Sequence, residues 1–305
     1  MQRRRRKGRP VHGILLLDKP LGASSNAALQ QVKRLFDAAT AGHTGSLDPL
    51  ATGLLPVCFG EATKLSTYLL DADKRYWVEG VWGERTASGD AESEVVERVD
   101  VPLTAERIEA VLPDFRGTVS QIPPMHSAVK HQGKRLYELA RKGVEVEREA
   151  REIQVRELSL LAVDAETRRF VLDVRCSKGT YVRTLVEDIA AAAGSLAYVS
   201  QLRRTGIGPY EESQMVGIEA IGVAVEQGPE ALDSLLLPLE SVFTDWPRAT
   251  VDESRSFYLS RGQAVRVAGA PESGRVAIVD AAGKVLGIGE IDDDGLVAPK
   301  RWMQR

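Results

Sequence analysis

The sequence predicts an α+β protein built around a largely antiparallel sheet, followed by a small C-terminal β module. Stretches with strand and helix periodicity alternate irregularly, without the even strand–helix–strand rhythm of a doubly wound fold. After Pro247 the sequence changes to short apolar runs separated by turns that contain glycine, proline and aspartate. A chain of 305 residues, 43% of them apolar and 27% charged, is long enough for one large and one small domain.

The first predicted elements are a helix and a buried strand. The helix is expected to begin at Ser24, because a serine pair there precedes apolar side chains that recur at helical spacing over residues 28–36. Residues 37–42 end this helix. The continuous apolar run 54–59 then predicts a strand that is buried on both faces.

Three more strands and a second helix are predicted in the middle of the chain. Residues 76–82 and 170–176 alternate apolar and other side chains as half-buried strands do, and 153–163 is a further strand. A helix is expected from Thr180, as its cap, to Gly194, as its stop, with apolar residues at helical spacing between them.

The last third of the chain predicts an acidic helical connector over residues 211–245 and a β module after it. Strands of that module are expected within the apolar runs 264–267, 275–279 and 285–288.

Charge is distributed unevenly along the chain, although the formal net charge is only −3. Residues 1–9 hold six basic side chains and no acid, whereas residues 211–255 hold ten acidic side chains and two arginines. A net negative charge argues against a nucleic-acid partner, but this segregation permits a local basic groove. The arginine-rich start of the chain is expected to be a flexible tail.

Composition also limits the class of protein. The first apolar run ends at Asp18 after only a few residues, so we expect neither a secretory signal nor a membrane span, and a cytoplasmic location. Cys58 and Cys176 are expected to be small buried side chains rather than a disulfide or metal pair. The four histidines have no ligand-like spacing, so no metal is predicted.

The segment most indicative of function is residues 42–57, which read GHTGSLDPLATGLLPV. Glycines such as Gly45 and Gly53 permit backbone conformations that a Cβ would forbid, and Pro49 restricts the conformation of Asp48 before it. A lone aspartate in such a loop is ordinarily a turn residue that caps a backbone amide. The alternative is that the loop holds a reactive carboxylate in a fixed place.

The whole segment resembles the catalytic motif of the bacterial tRNA pseudouridine synthase B family. Further matches to that family follow the same order along the chain: residues 18–25 (DKPLGASS), 74–76 (KRY), 122–130 (IPPMHSAVK) and 176–184 (CSKGTYVRT). The resemblance extends from about residue 11 to the end. It implies a pseudouridine synthase fold over residues 11–246, a basic tail at 1–10, and a PUA-like RNA-binding domain at 247–305.

The resemblance implies an isomerase that needs no cofactor and no metal. By this likeness, Asp48 is the nucleophile, Arg183 pairs with it, and Tyr76 stacks on the target uracil and takes part in proton removal. An enclosed aspartate tends to become protonated, so a neighbouring cation such as Arg183 would keep it charged. Judged alone, Arg183 is a helix-surface arginine and Tyr76 a core or edge tyrosine.

The same likeness assigns substrate contacts to other residues. Tyr181 and Leu202 line the substrate pocket, His43 contacts the target nucleotide, and Lys19 and Lys64 are weaker candidates for phosphate or structural contacts. The implied partner is the T-arm of transfer RNA, and the target is the T-loop uridine numbered 55 by convention. This uridine would have to rotate out of its stack. We expect a monomer that does not associate with membranes.

Two positions depart from the family pattern, and two other functions compete with the first. Ala87 replaces an acidic residue after the Tyr76 strand, and His126 replaces a common tyrosine. A tRNA-folding chaperone with a silent Asp48 site would use the same RNA surface. A nucleosidase-like hydrolase is the third hypothesis, although no second carboxylate stands out as its water-activating base.

Overall fold

A computed structural model describes residues 8–127, 129–140 and 142–303 of the chain. The predicted basic tail at 1–10 therefore lies mostly outside the described residues. The strands are β1 (Gly13–Lys19), β2 (Ala41–His43), β3 (Ala51–Phe59), β4 (Lys74–Trp82), β5 (Glu84–Thr86), β6 (Val95–Arg98), β7 (Gly117–Gln121), β8 (Lys130–His131), β9 (Lys134–Arg135), β10 (Arg151–Asp164), β11 (Arg169–Cys176), β12 (Ala197–Ile207), β13 (Tyr210–Glu211), β14 (Arg248–Thr250), β15 (Gly274–Val279), β16 (Val285–Ile291) and β17 (Val297–Trp302). The α-helices are α1 (Ser25–Leu35), α2 (Ser66–Asp71), α3 (Ala105–Val111), α4 (Leu136–Ala140), α5 (Val182–Ala192), α6 (Ile218–Gln227), α7 (Pro229–Ser234) and α8 (Glu253–Ser260).

The fold is α+β with a mixed, largely antiparallel sheet, as predicted. Its main sheet has the strand order β1-β3-β12-β4-β11-β10-β7, with β2 paired to β3 and β13 paired to β12. All of these pairings are antiparallel except that of β3 with β12. Strand β12 thus lies between β3 and β4 at the centre of the sheet, although it follows both of them by a long stretch of chain.

The predicted helices and strands of the large domain are confirmed, with one correction at a helix start. Helix α1 begins after Ser24, whose side chain accepts a hydrogen bond from the Ala27 amide. The predicted cap of the second helix, Thr180, was wrong. The cap of α5 is Tyr181, and the Thr180 hydroxyl instead donates to the Ser177 carbonyl, closing a local turn before the helix.

Apolar side chains from both sides of the main sheet form the core. Helix α5 buries Leu185, Val186 and Ile189 against β4, β11 and β12. At the other end of the sheet, α1 and the connector helices α6 and α7 cover β1 and β3. Both cysteines, Cys58 and Cys176, are free and buried, as predicted.

The C-terminal module is a four-stranded sheet of order β14-β15-β16-β17, with α8 packed beside it. Two of its predicted strands are confirmed, but residues 264–267 form no strand, because only Val265 pairs with β17 through an isolated bridge. The module shares a hydrophobic cluster with the large domain, in which Ala277 and Ile288 lie together with Leu54 and Phe243. The two parts therefore stabilise each other.

Candidate active site

The loop between β2 and β3 is fixed on both sides of Asp48 by hydrogen bonds. The buried Ser25 hydroxyl donates to the Leu47 carbonyl at 3.0 Å and accepts from the Leu47 amide at 2.7 Å. The Gly22 amide donates to the Pro49 carbonyl at 2.8 Å. Because these bonds hold the residue before Asp48 and the residue after it, the loop presents its carboxylate in one place.

Two glycines allow this loop to lie close to β12. Gly45 has a φ of +83°, in the left-handed region that favours glycine. A Cβ on Gly53, whose φ is +95°, would lie 2.4 Å from the Arg204 carbonyl oxygen. Gly53 is paired with Arg204 where β3 and β12 run parallel, so any larger residue would push the two strands apart.

A buried arginine connects Asp48 to a second carboxylate. Arg183, from the first turn of α5, lies 3.0 Å from a carboxylate oxygen of Asp48 and 3.2 Å from one of Asp90. The side chains of Arg183 and Asp90 are 6% and 3% exposed, whereas that of Asp48 is 46% exposed. The arginine is therefore held from inside by Asp90, and Asp48 is the carboxylate that remains open to a substrate.

Two carbonyl groups complete the surroundings of Arg183. Its guanidinium donates to the Ser88 carbonyl at 2.8 Å and to the His126 carbonyl at 2.9 Å. Both acceptors lie in the segments that depart from the family pattern at Ala87 and His126. Since these bonds use backbone oxygens, the two changes of side chain leave this support of Arg183 in place.

The buried carboxylate Asp90 is held by its own loop. It accepts hydrogen bonds from the Ser88 hydroxyl at 2.5 Å and from the Glu92 amide at 3.1 Å. Its carbonyl accepts from the buried Thr86 hydroxyl at 2.7 Å. Asp90 was not among the predicted site residues, although its short polar neighbours in the sequence were a signal for a structured loop.

Asp48 and Arg183 border a small cleft of about 100 Å³. Three other predicted residues, Tyr76, Tyr181 and Leu202, line the same cleft. Leu202 on β12 is paired with Ala51 on β3 and Val78 on β4, so the parallel and antiparallel pairings of β12 bring the loop and β4 together. The cleft has room for one small ring.

Two further polar residues lie near side chains that line the cleft. The buried Gln121 forms a reciprocal pair with the backbone of Tyr181, at 2.8 Å to its amide and 3.1 Å to its carbonyl. Burial raises the pKa of the Glu92 carboxyl, and the nearby charges of Asp90 and Asp48 raise it further. Glu92 is thus a third carboxyl group close to Asp48 and Asp90, and the sequence analysis did not identify it.

Tyr76 lies partly buried on β4. Neighbouring groups shift the pKa of its hydroxyl in opposite directions. Burial raises the pKa of Tyr76, whereas the positive charge of Arg204 and a hydrogen bond to it act in the opposite direction. The carboxylate of Asp48 contributes a smaller upward effect on the pKa. The hydroxyl therefore lies within the electrostatic reach of both a cation and the proposed nucleophile.

The remaining predicted residues lie outside the lining of the cleft. Lys19 is fully buried and donates to the carbonyls of Ala23 at 2.6 Å and Pro20 at 3.0 Å, so its contacts are structural. Burial lowers its pKa to about 8. Lys64 forms an ion pair with Glu61 at 2.5 Å. His43 ends β2, and its buried Nδ1 has no hydrogen-bond partner among the described residues.

The described residues contain no group of three or more acidic, histidine or cysteine side chains placed to hold a metal ion. In the same part of the chain, every helix is too short or too polar to cross a membrane.

The sequence matches profiles of one protein family along most of its length. The profile described as TruB family pseudouridylate synthase (N terminal domain) matches residues 33–182. Two C-terminal profiles follow: the tRNA pseudouridylate synthase B C-terminal domain at residues 183–244, and Pseudouridine synthase II TruB, C-terminal, at residues 247–303.

Full-length relatives and a solved structure agree with these matches. A tRNA pseudouridine synthase B of Pseudomonas putida is 53% identical over 297 residues, which are 97% of each chain. One from Escherichia coli is 49% identical over 309 residues, covering 99% of this chain and 98% of that protein. The crystal structure of a Cbf5-Nop10-Gar1 complex contains a chain with a TM-score of 0.75 at 24% identity, covering 100% of this chain and 90% of that one. This likeness supports the fold, and the sequence matches show that the chain belongs to the TruB family of pseudouridylate synthases.

Proposed function

We propose that this protein is a tRNA pseudouridine synthase that isomerises uridine 55 in the T-loop, with Asp48 as the nucleophile. The observation that carries the proposal is the half-exposed carboxylate of Asp48, paired with buried Arg183 at 3.0 Å, at a cleft that Tyr76 also lines. The choice of tRNA rests on relatives of about half-identical sequence that are named tRNA pseudouridine synthase B.

The reaction rearranges bonds without any change of oxidation state. The bond between uracil N1 and ribose C1′ breaks, a bond between C5 and C1′ forms, and the proton on C5 is lost while N1 gains one. An ionised carboxylate can attack the sugar or the base, or stabilise positive charge on the sugar. Arg183 lies 3.0 Å from this carboxylate and holds it in place, because opposite charges at this distance attract each other.

Tyr76 supplies the ring contact and the proton acceptor in this proposal. An aromatic side chain that stacks on a base contributes roughly 1–3 kcal/mol. The detached uracil has to turn within the cleft before C5 can react, and the cleft walls formed by Tyr76, Tyr181 and Leu202 would keep it from leaving. The Tyr76 oxygen, which has to be deprotonated for this step, then takes the C5 proton and becomes a neutral hydroxyl.

The size of the cleft supports base flipping. The cleft, of about 100 Å³, has room for one small ring. The target uridine would therefore rotate out of the T-loop, at a cost of a few kcal/mol. Three predicted residues outside the cleft are expected to assist substrate binding: His43, Lys19 and Lys64. Lys19 is expected to support the loop rather than to bind phosphate.

The domain assignment belongs to the same proposal. Residues 11–246 form the catalytic domain, with an acidic connector at about 211–246, and residues 247–305 form a PUA-like RNA-binding domain. The four-stranded sheet of that module supports the assignment. The protein is expected to act as a cytoplasmic monomer.

The test is nucleotide-resolution mapping of pseudouridine in an unmodified tRNA transcript incubated with the purified protein. A matched transcript with cytidine at position 55 serves as the control. Modification at position 55 alone, absent from the control, is the expected result. Modification only at other uridines would refute the assigned position, free uracil would indicate a hydrolase, and tight binding without any modification would favour a folding chaperone.

A further inference from the structure

One wall of the cleft is formed by consecutive residues, 180–183, at the point where the chain enters α5. This segment carries Tyr181, which is the cap residue of α5, and Arg183, which lies in the first turn. Among the described residues, the Tyr181 side chain makes no capping hydrogen bond to the helix. The place of this segment is therefore fixed by contacts with another part of the protein.

Gln121 supplies such a contact from an edge strand. It is the last residue of β7, at the end of the main sheet, and is 3% exposed. Its Oε1 accepts a hydrogen bond from the Tyr181 amide at 2.8 Å, and its Nε2 donates to the Tyr181 carbonyl at 3.1 Å. The same carbonyl accepts from the Leu185 amide of α5 at 3.0 Å. Both backbone polar groups of Tyr181 are thus held between β7 and α5.

The stretch of chain that begins at Gln121 also reaches Arg183. Further along this stretch, the His126 carbonyl accepts a hydrogen bond from the Arg183 guanidinium at 2.9 Å. A side-chain amide has its acceptor and its donors at fixed positions in one plane, so a reciprocal pair restricts orientation as well as distance. The end of β7 and the segment after it therefore fix two residues of the cleft wall, Tyr181 and Arg183.

We propose that Gln121 is a positioning residue of the reaction, which holds Tyr181 and the start of α5 at the cleft. The inference rests on the proposed function, because it requires that the cleft holds the target uracil. Gln121 is buried outside the cleft lining and does not touch the substrate. A shift of Tyr181 would move the side chain that lines the cleft and Arg183, which pairs with Asp48. Because the reacting groups need a narrow range of geometries, loss of the Gln121 pair should slow the chemical step more than it weakens tRNA binding.

The contact itself is tested without any substrate. The seven tyrosines are labelled with nitrogen-15, hydrogen exchange of their amides is followed by NMR, and Tyr181→Phe identifies the Tyr181 signal. Gln121→Met keeps the length of the side chain but removes its acceptor and donor, so the Tyr181 amide should exchange about 5- to 150-fold faster. Gln154→Met is the matched control, because this glutamine lies on the neighbouring strand β10 and donates to the Thr118 hydroxyl at 2.6 Å. It should leave the Tyr181 amide unchanged.

The role in the reaction is tested by separating the rate from binding. In Gln121→Met, the single-turnover rate of pseudouridine formation should fall by roughly 5- to 150-fold, because a polar group of the cleft wall is left without its partner. The tRNA affinity measured by filter binding should stay the same. Gln154→Met should show the wild-type rate and the wild-type affinity.

Gln121→Glu adds a dependence on pH that a merely structural role would not produce. A protonated carboxyl group both donates and accepts, as the amide does, whereas a carboxylate only accepts and would repel the Tyr181 carbonyl. Burial raises the pKa of a carboxyl group, so the rate of Gln121→Glu relative to wild type should rise as the pH is lowered from about 8.5 to about 5.5. The corresponding ratio for Gln121→Met should not change with pH.

The outcomes separate this inference from the proposed function. A wild-type rate in Gln121→Met, or an unchanged exchange rate of the Tyr181 amide, overturns the inference. If Gln121→Met does not fold, Gln121→Glu decides: a relative rate that rises at lower pH supports the positioning role, and one that does not rise contradicts it. Absence of turnover in wild type would refute the proposed function, whereas normal turnover in both wild type and Gln121→Met would refute only this inference.

Discussion

Removal of the buried charge of Asp90 tests how the nucleophile is held. In Asp90→Asn, Arg183 keeps Asp48 and two carbonyl acceptors but loses its buried carboxylate partner. A hydrogen bond to a charged group contributes about 1.5–3 kcal/mol. Because the introduced amide could still accept one bond but carries no charge, we expect the free energy of unfolding to fall by about that amount.

The same change should slow the reaction. Without the charge of Asp90, only the two carbonyl groups hold Arg183 on its buried side, so the arginine orients the Asp48 carboxylate less firmly. If the activation free energy rises by the same 1.5–3 kcal/mol, the single-turnover rate falls by roughly 10- to 150-fold, because about 1.36 kcal/mol corresponds to a tenfold change in rate. The assays are urea unfolding and the rate of pseudouridine formation under single-turnover conditions.

A matched control separates this effect from a general loss of charge. Asp100 pairs with Arg168 at 3.3 Å, and its side chain is 93% exposed. An exposed pair of this kind contributes at most about 1 kcal/mol, so Asp100→Asn should behave like wild type. If Asp90→Asn also retains wild-type stability and rate, the buried carboxylate does not hold Arg183 and the reasoning is refuted.

Three further predictions use other parts of the structure. Tyr76→Phe keeps the ring but loses the hydroxyl, so the single-turnover rate should fall by about 10²–10⁴-fold. The tRNA affinity measured by filter binding should stay unchanged, and a normal rate would exclude the hydroxyl from the reaction. Burial lowers the pKa of Lys19 to about 8, below its ordinary value of 10.5. Between these two pH values the unfolded chain binds more protons than the folded one, so the free energy of unfolding, measured in urea, should rise with pH from about 8 to 10.5. Lys19→Met should flatten this rise, and an unaltered slope would contradict the shift. A chain that ends at residue 246 exposes the cluster around Phe243 and Leu54, so it should unfold at a lower urea concentration than the full chain; an equal midpoint would show that the C-terminal module adds no stability.

A helix or strand could be predicted from the sequence where a short run of neighbouring residues determines that element. Ser24 caps a helix with its own side chain, and residues 54–59 are apolar without interruption, so both elements follow from neighbours in the chain. The start of α5 was misjudged because Thr180 uses its hydroxyl in a turn with Ser177 instead. Residues 264–267 resemble a strand but have no neighbouring strand with which to form a continuous ladder.

Only the site residues that lie within the sequence motifs could be predicted. Asp48, Tyr76, Tyr181, Arg183 and Leu202 meet at one cleft, and the family resemblance was needed to select them. The long-range partners were not visible, because they depend on β12 inserting between β3 and β4. A buried arginine such as Arg204 has the same sequence signature as the surface-paired arginine beside it, so only the structure distinguishes the two.

The central claim is that the Asp48 carboxylate performs the chemistry, and Asp48→Asn tests it most directly. The measurement is tritium release from tRNA labelled at uracil C5, under single-turnover conditions with enzyme in excess, alongside filter binding of the same tRNA. We predict that Asp48→Asn binds tRNA like wild type and releases no detectable tritium, while Asp100→Asn reacts normally. Release by Asp48→Asn within about tenfold of the wild-type rate, a difference of less than about 1.4 kcal/mol, would contradict the account.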